Sequence, residues 1–168
     1  MIEGAKGFRP RTDRVYSDPR SRIHIEDAKT FFSTHNVTYD IIVSEPSNPW
    51  VSGVASLYTD EFYRHIRRHL NEGGLFVQWI QVYEIETSLV VSVLKSLSRN
   101  FSDFTIYAAG QSDVIVVAKK SGHLGLPDAG KFSNLGLRDE MDRVAIRHFQ
   151  DILIRRIGSR KSLEPLFE

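Results

Sequence analysis

The chain has 168 residues, within the roughly 100–200 typical of one domain, so a single domain is the expectation. It is 41% hydrophobic and 26% charged, which excludes collagenous, low-complexity and fully disordered classes. The 22 Lys+Arg against 21 Asp+Glu give a net charge of +1, so no global field favours nucleic acid or anionic lipid, and the absence of cysteine excludes disulfides and thiolate chemistry.

Met1 to Phe8 reads as a short helix stopping ahead of Pro10, whose ring disfavours helix at Arg9. Arg11 to Arg22 is polar and basic, with Asp18-Pro19 as a turn signal, and is predicted as loop. Ile23-His24-Ile25 alternates as a short strand does. Asp27 can cap a helix carrying Ala28, Phe31 and Phe32, closed by His35-Asn36. Asp40 to Val43 is a nearly continuous β-branched run, the pattern of a strand buried on both faces of a parallel sheet. It runs into the loop Ser44-Glu45-Pro46-Ser47-Asn48-Pro49.

A helix follows, with Leu57, Tyr58, Phe62, Ile66 and Leu70 on one stripe and Gly73-Gly74 as terminator. Leu75 to Val82 is the next apolar strand. Thr87 opens a helix with Leu89, Val90, Val93, Leu94 and Leu97 inward and Asn100 as a C-terminal cap. Phe104 to Tyr107 and Val114 to Ala118 are predicted as an antiparallel hairpin at the sheet edge. Ser121 to Asn134 is a Gly-rich connection, and Arg138 to Ile157 a last amphipathic helix ended by Gly158.

Alternation of this kind predicts an α/β fold with a mainly parallel sheet, whose ligands bind at the carboxyl ends of the strands. Those ends present Glu26 and Asp27, then Ser44, Glu45 and Asn48, then Gln81, Tyr83 and Glu84, then Tyr107, Gly110 and Gln111. Acids, amides and phenols at one edge of an apolar sheet suit a small polar ligand with cationic groups. Each has a plainer role open to it: Asp27 as a helix cap, Glu45 as a solvated loop acid, Asn48-Pro49 as turn chemistry, Tyr107 as a sheet aromatic. Trp50 and Trp79 read as packing residues, and Arg64, His65, Arg67, Arg68 and His69 as a solvated helix face. No phosphate-cradling glycine motif, no G-x-S-x-G and no H-E-x-x-H occurs, so no metal is expected. No apolar run approaches the roughly 18–20 residues of a membrane span, and MIEGAKGFRPR contains no apolar h-region.

The stretches DPRSRIHIEDAKTFF, YDIIVSEPSNPW and LYTDEFYRHIRRHLNEGGLFVQWIQVYE resemble the spermidine synthase (polyamine aminopropyltransferase) family, in particular its bacterial spermidine-synthase-like branch. The resemblance is good over about residues 1–120 and looser beyond. It implies the Rossmann-like fold of S-adenosylmethionine-dependent methyltransferases. It also implies transfer of an aminopropyl group from decarboxylated S-adenosylmethionine to a polyamine such as putrescine. Asp18-Pro19-Arg20 matches the family's D-P-R. Asp27 matches the acid that bonds the adenine amino group, with Glu26 and Ala28 beside it in the cofactor-binding turn. Glu45-Pro46-Ser47-Asn48-Pro49 stands where the family has D-x-x-D-P. Tyr107 stands where the family has a substrate-contacting tyrosine, and on this reading Asn48, Gln81 and Tyr107 would position the substrate.

The departures carry chemical consequences. An amine attacks carbon only when neutral, so a positioned base is required, and Glu45 can serve. Asn48 can neither take a proton nor neutralise a cation, so the loop loses one negative charge against the family pattern. This leaves the acceptor amine open, and with it methyl transfer from S-adenosylmethionine on the same fold. The family's first two strands, with the Gly-rich cofactor loop and a ribose-binding acid, are absent from this sequence. A non-catalytic assembly module is therefore a third possibility. The chain is expected to be the C-terminal part of a larger protein or a separately started fragment. It is expected in the cytoplasm, or as the soluble part of a membrane-anchored protein. A sheet lacking two strands exposes an edge, at Ile23–Ile25 or Ile41–Val43, which predicts self-association or pairing with a chain that supplies the missing strands.

Overall fold

The structure is a computed structural model that describes residues 2–46, 53–83, 85–132 and 135–167. Three short helices lead in: α1 (Ile2–Ala5), α2 (Asp13–Ser17) and α3 (Ala28–Thr34). Then come β1 (Tyr39–Ser44), a 3-10 turn at Val54–Tyr58, α4 (Asp60–Arg68), β2 (Leu70–Gln81) and α5 (Thr87–Asn100). The hairpin β3 (Asp103–Ala108) and β4 (Asp113–Lys119) follows. Then come α6 (Ala129–Phe132), α7 (Leu135–Arg143), α8 (Phe149–Leu153), β5 (Arg156–Ser159), α9 (Arg160–Leu163) and a 3-10 turn at Glu164–Leu166.

The five strands form one mixed sheet in the order β1-β2-β4-β3-β5. β1 runs parallel to β2, and the other three pairings are antiparallel. Along β2 the buried Phe76, Gln78 and Ile80 alternate with half-buried Leu75, Val77, Trp79 and Gln81, as the two-residue strand period requires. The buried face packs against Phe62, Tyr63 and Ile66 of α4 and Val93, Leu94 and Leu97 of α5. Thr59 caps α4, its side chain accepting from the Phe62 N–H at 3.3 Å.

One polar pair lies inside this core. The Tyr63 hydroxyl donates to Gln78 Oε1 at 2.7 Å, and Gln78 Nε2 donates to the Leu57 carbonyl at 3.1 Å. Burial pushes the Tyr63 phenol well above its ordinary pKa, so it remains a donor. Gln78→Leu strands that hydroxyl in the core and is expected to cost about 1–3 kcal/mol in urea unfolding. A loss below a few tenths would show that the pair contributes no net stability.

Several expectations are corrected. Ile23–Ile25 takes no regular secondary structure and belongs to no sheet. Alternation permits a strand, but a strand also needs a neighbour to bond. Asp40–Val43 is buried on one face only: Ile42 is in the core, while Ile41 and Val43 are 56% and 67% exposed. The core-forming helices α4 and α5 cover one face, leaving these side chains uncovered among the described residues. Part of the predicted loop at Arg11–Arg22 is α2. The helix expected up to Gly73-Gly74 already ends at Arg68, and the glycines lie inside β2. They sit where the ladder jumps from Tyr39↔Leu70 to Ile41↔Leu75. Gly73 has φ 75°, and a Cβ on Gly74 would stand 2.8 Å from the Asn71 carbonyl oxygen. The Arg138–Ile157 helix is replaced by part of α7, by α8 and by the first half of β5. Ala145 takes φ 58°, and β5 is drawn to the free edge of β3, where the Ala108 N–H donates to the Arg155 carbonyl at 2.7 Å.

Candidate functional site

β1, β2 and β3 point the same way, so their carboxyl ends share one end of the sheet. Glu45 follows the last β1–β2 rung, Ser44↔Gln78, and is exposed. Gln81 ends β2 and is half-buried. Tyr107, one residue before the end of β3, is half-buried too. Among the described residues, the side chains of Glu45, Gln81 and Tyr107 make no hydrogen bond or ion pair with protein. Asn48, Trp50 and Glu84 lie outside the described residues.

The structure adds Asp113 to this set. It opens β4 directly opposite Gln81, and its carbonyl accepts from the Ala109 N–H at 2.8 Å. Asp113 Oδ1 is buried and has no hydrogen-bond partner among the described residues. A buried carboxylate oxygen without a donor is costly and is an acceptor waiting for one. Asp113 was missed in the sequence because Ala108–Asp113 reads as a connection. The available signal was an acid heading the apolar run Val114–Ala118.

Glu26, Asp27 and Ala28 lie apart from any strand end, on the exposed turn into α3. Asp27 is the N-cap: its Oδ1 accepts from the Thr30 N–H at 3.0 Å and the Thr30 hydroxyl at 3.3 Å. The Thr30 backbone bond is the main reason its carboxyl titrates below the ordinary value. Both Thr30 bonds end on Oδ1. A depressed folded pKa means the cap stabilises above the unfolded value and is lost as pH falls through the folded one. Protection of the Thr30 amide is therefore expected to fall as pH drops below about 4 and to stay flat in Asp27→Asn. Equal pH dependence in both would remove Asp27 as the cause. Glu26 approaches His24 at 3.9 Å. Upstream, the Asp18-Pro19-Arg20 motif closes on itself, Arg20 Nε and Nη2 donating to Asp18 at 2.9 and 2.6 Å.

The basic helix face is only partly solvated. Arg64, Arg67 and Arg68 are exposed, but His69 is buried, its Nδ1 2.9 Å from the Val37 carbonyl and its ring 5.0 Å from Phe32. His65 is half-buried beside it, and burial chiefly lowers its pKa. Among the described residues no group of three or more His, Asp or Glu could hold a metal, and no helix is long and apolar enough to cross a membrane.

The fold is that of the spermidine synthases within the methyltransferase-like α/β class. The spermidine synthase from Thermotoga maritima matches 98% of this chain and 56% of its own, with a TM-score of 0.63 and 16% identity. A spermidine synthase in complex with the transition state analogue AdoDATO matches 71% of this chain and 43% of its own, with a TM-score of 0.60 and 21% identity. Residues 1–110 match the spermine/spermidine synthase domain, and the chain belongs to that family. The polyamine aminopropyltransferase of Sodalis glossinidius is 35% identical over 110 residues, which are 65% of this chain and 38% of that protein. The chain thus spans a little over a third of this curated relative's length.

Proposed function

We propose that this chain forms the amine-binding part of an aminopropyltransferase of polyamine biosynthesis. The observation that carries this reading is the gathering of Glu45, Gln81, Tyr107 and Asp113 at one end of the sheet, with Asp113 Oδ1 buried and unpaired. The donor substrate, decarboxylated S-adenosylmethionine, supplies a propyl carbon activated by a sulfonium. Glu45 anchors the amine and takes its proton as the nitrogen attacks that carbon: the C–N bond forms, the C–S pair leaves with the thioether, and the proton passes to carboxylate. Gln81, Tyr107 and Asn48 position the chain of the amine. Asp113 supplies a second carboxylate, offsetting the charge that Asn48 cannot provide. Asp27, with Glu26 and Ala28, holds the adenine side.

The test is the thioether released when the protein is given a diamine with either donor. Methylthioadenosine from the decarboxylated donor is expected. S-adenosylhomocysteine from ordinary S-adenosylmethionine would instead establish methyl transfer.

The outer edge of β1 is unpaired among the described residues, and Ile41 and Val43 stand exposed beside it. An apolar strand edge is a template for pairing, so the chain is expected to self-associate or to take a strand from another chain there. Light scattering should show mass rising with concentration, and Val43→Lys should reduce it. A strict monomer at every concentration would contradict this.

A further inference from the structure

We propose that a groove at the opposite end of the sheet is a binding site for a compact oligophosphate anion. Its volume is about 410 Å³, and Arg64, Arg67, Arg99, Lys120 and Arg160 converge on it from α4, α5, the end of β4 and α9. Lys119 pairs with Leu75 at this end of β2, whereas Gln81 pairs with Asp113 at the other. The groove and the amine site are thus separated by the length of β4, roughly 20 Å at the usual strand rise.

Carboxylates in the groove are too few for its cations. Arg64 pairs with Asp60, and Lys120 Nζ lies 3.0 Å from Glu72 and donates to the Leu70 carbonyl at 2.6 Å. Arg160 Nη1 donates to the Ser102 carbonyl at 2.5 Å. Arg67 and Arg99 make no hydrogen bond or ion pair among the described residues. Five cations against two paired carboxylates leave an excess of three charges, in a chain whose net charge is +1. Arg67 and Arg99 lie in the last turns of α4 and α5. Each helix end there contributes about half a negative charge, so together they offset about one of the three. Concave placement focuses what remains.

The shape and chemistry select the ligand. Guanidinium forks match phosphate oxygens two at a time. The cations gather in one pocket rather than along a stripe, and its one aromatic, Phe101, is 2% exposed. Nucleic acid would need a longer track and faces on which bases stack. The fit is to inorganic di- or triphosphate or to the phosphate tail of a nucleotide.

Calorimetric titration of the whole chain with inorganic triphosphate tests this. Saturable binding is expected, weakening as salt rises. Arg67→Glu with Arg99→Glu, both at exposed positions, should weaken it about tenfold or more while circular dichroism stays unchanged. ATP binding as tightly as triphosphate would assign the site to a nucleotide's phosphate tail, and much weaker ATP binding to the free anion; either supports an oligophosphate site. Absence of saturable heat, indifference to the double substitution, or tighter binding of a single-stranded oligonucleotide would overturn it.

Discussion

Glu45→Gln is expected to reduce aminopropyl transfer by about 10²–10⁴-fold, the usual contribution of a positioned general base. A polyamine is almost fully protonated near neutral pH, and only its neutral nitrogen can attack. Glutamine retains the length and hydrogen bonding of Glu45 but accepts no proton and balances no cation. Glu45 is exposed, beyond the last rung of β1, and makes no bond within the described chain. The substitution should therefore leave the unfolding midpoint unchanged, so lost turnover would report chemistry and not folding. Glu45→Asp should restore much of the rate, since the resemblance places aspartate at this position. Methylthioadenosine release measures all three proteins, and undiminished turnover in Glu45→Gln would exclude Glu45 as the base.

The largest effect on stability is expected at Phe76. Its side chain is fully buried, stacked on Phe101 with centroids 5.5 Å apart and planes 7° from parallel. The rings of Tyr63 and Phe62 meet it edge-on or nearly so at 5.9 and 6.5 Å. Phe76→Ala removes the ring on which the packing of α4 and the end of α5 converges. Such truncations cost about 3–5 kcal/mol, a large part of the 5–15 kcal/mol typical of a folded domain. The urea midpoint should fall steeply at unchanged slope. At dilutions where the chain is monomeric, Val43→Ala on the uncovered face should change stability by less than about 0.5 kcal/mol. Equal losses at both positions would mean that the second face is covered in solution.

The parts of the fold that were legible in the sequence are those set by local pattern. Val93, Leu94 and Leu97 recur at helical spacing, and the structure has α5 from Thr87 to Asn100 as read. The hairpin was equally plain, because Val114–Ala118 is apolar and β-branched with polar residues before it. What failed depended on distant neighbours. Ile23–Ile25 alternates but finds no partner strand, while Arg156–Ser159 looked like helix and became a strand because β3 offered an edge. Glu45, Gln81 and Tyr107 were visible as polar residues ending apolar runs. Asp113 was not, because only the β2–β4 register sets it opposite Gln81. His65 and His69 read as solvated beside three arginines, yet His69 packs on Phe32 of α3 and the Val37 carbonyl, and His65 on the His69 ring, which only tertiary contacts fix.

On this account the acids at the carboxyl end of the sheet hold a cationic amine. Calorimetric titration with 1,4-diaminobutane measures that binding. Saturable binding is expected in the unmodified chain, weakened about tenfold or more by Glu45→Gln and again by Asp113→Asn, as loss of a charged hydrogen-bond partner predicts. No saturable binding, or equal affinity in all three proteins, would contradict it.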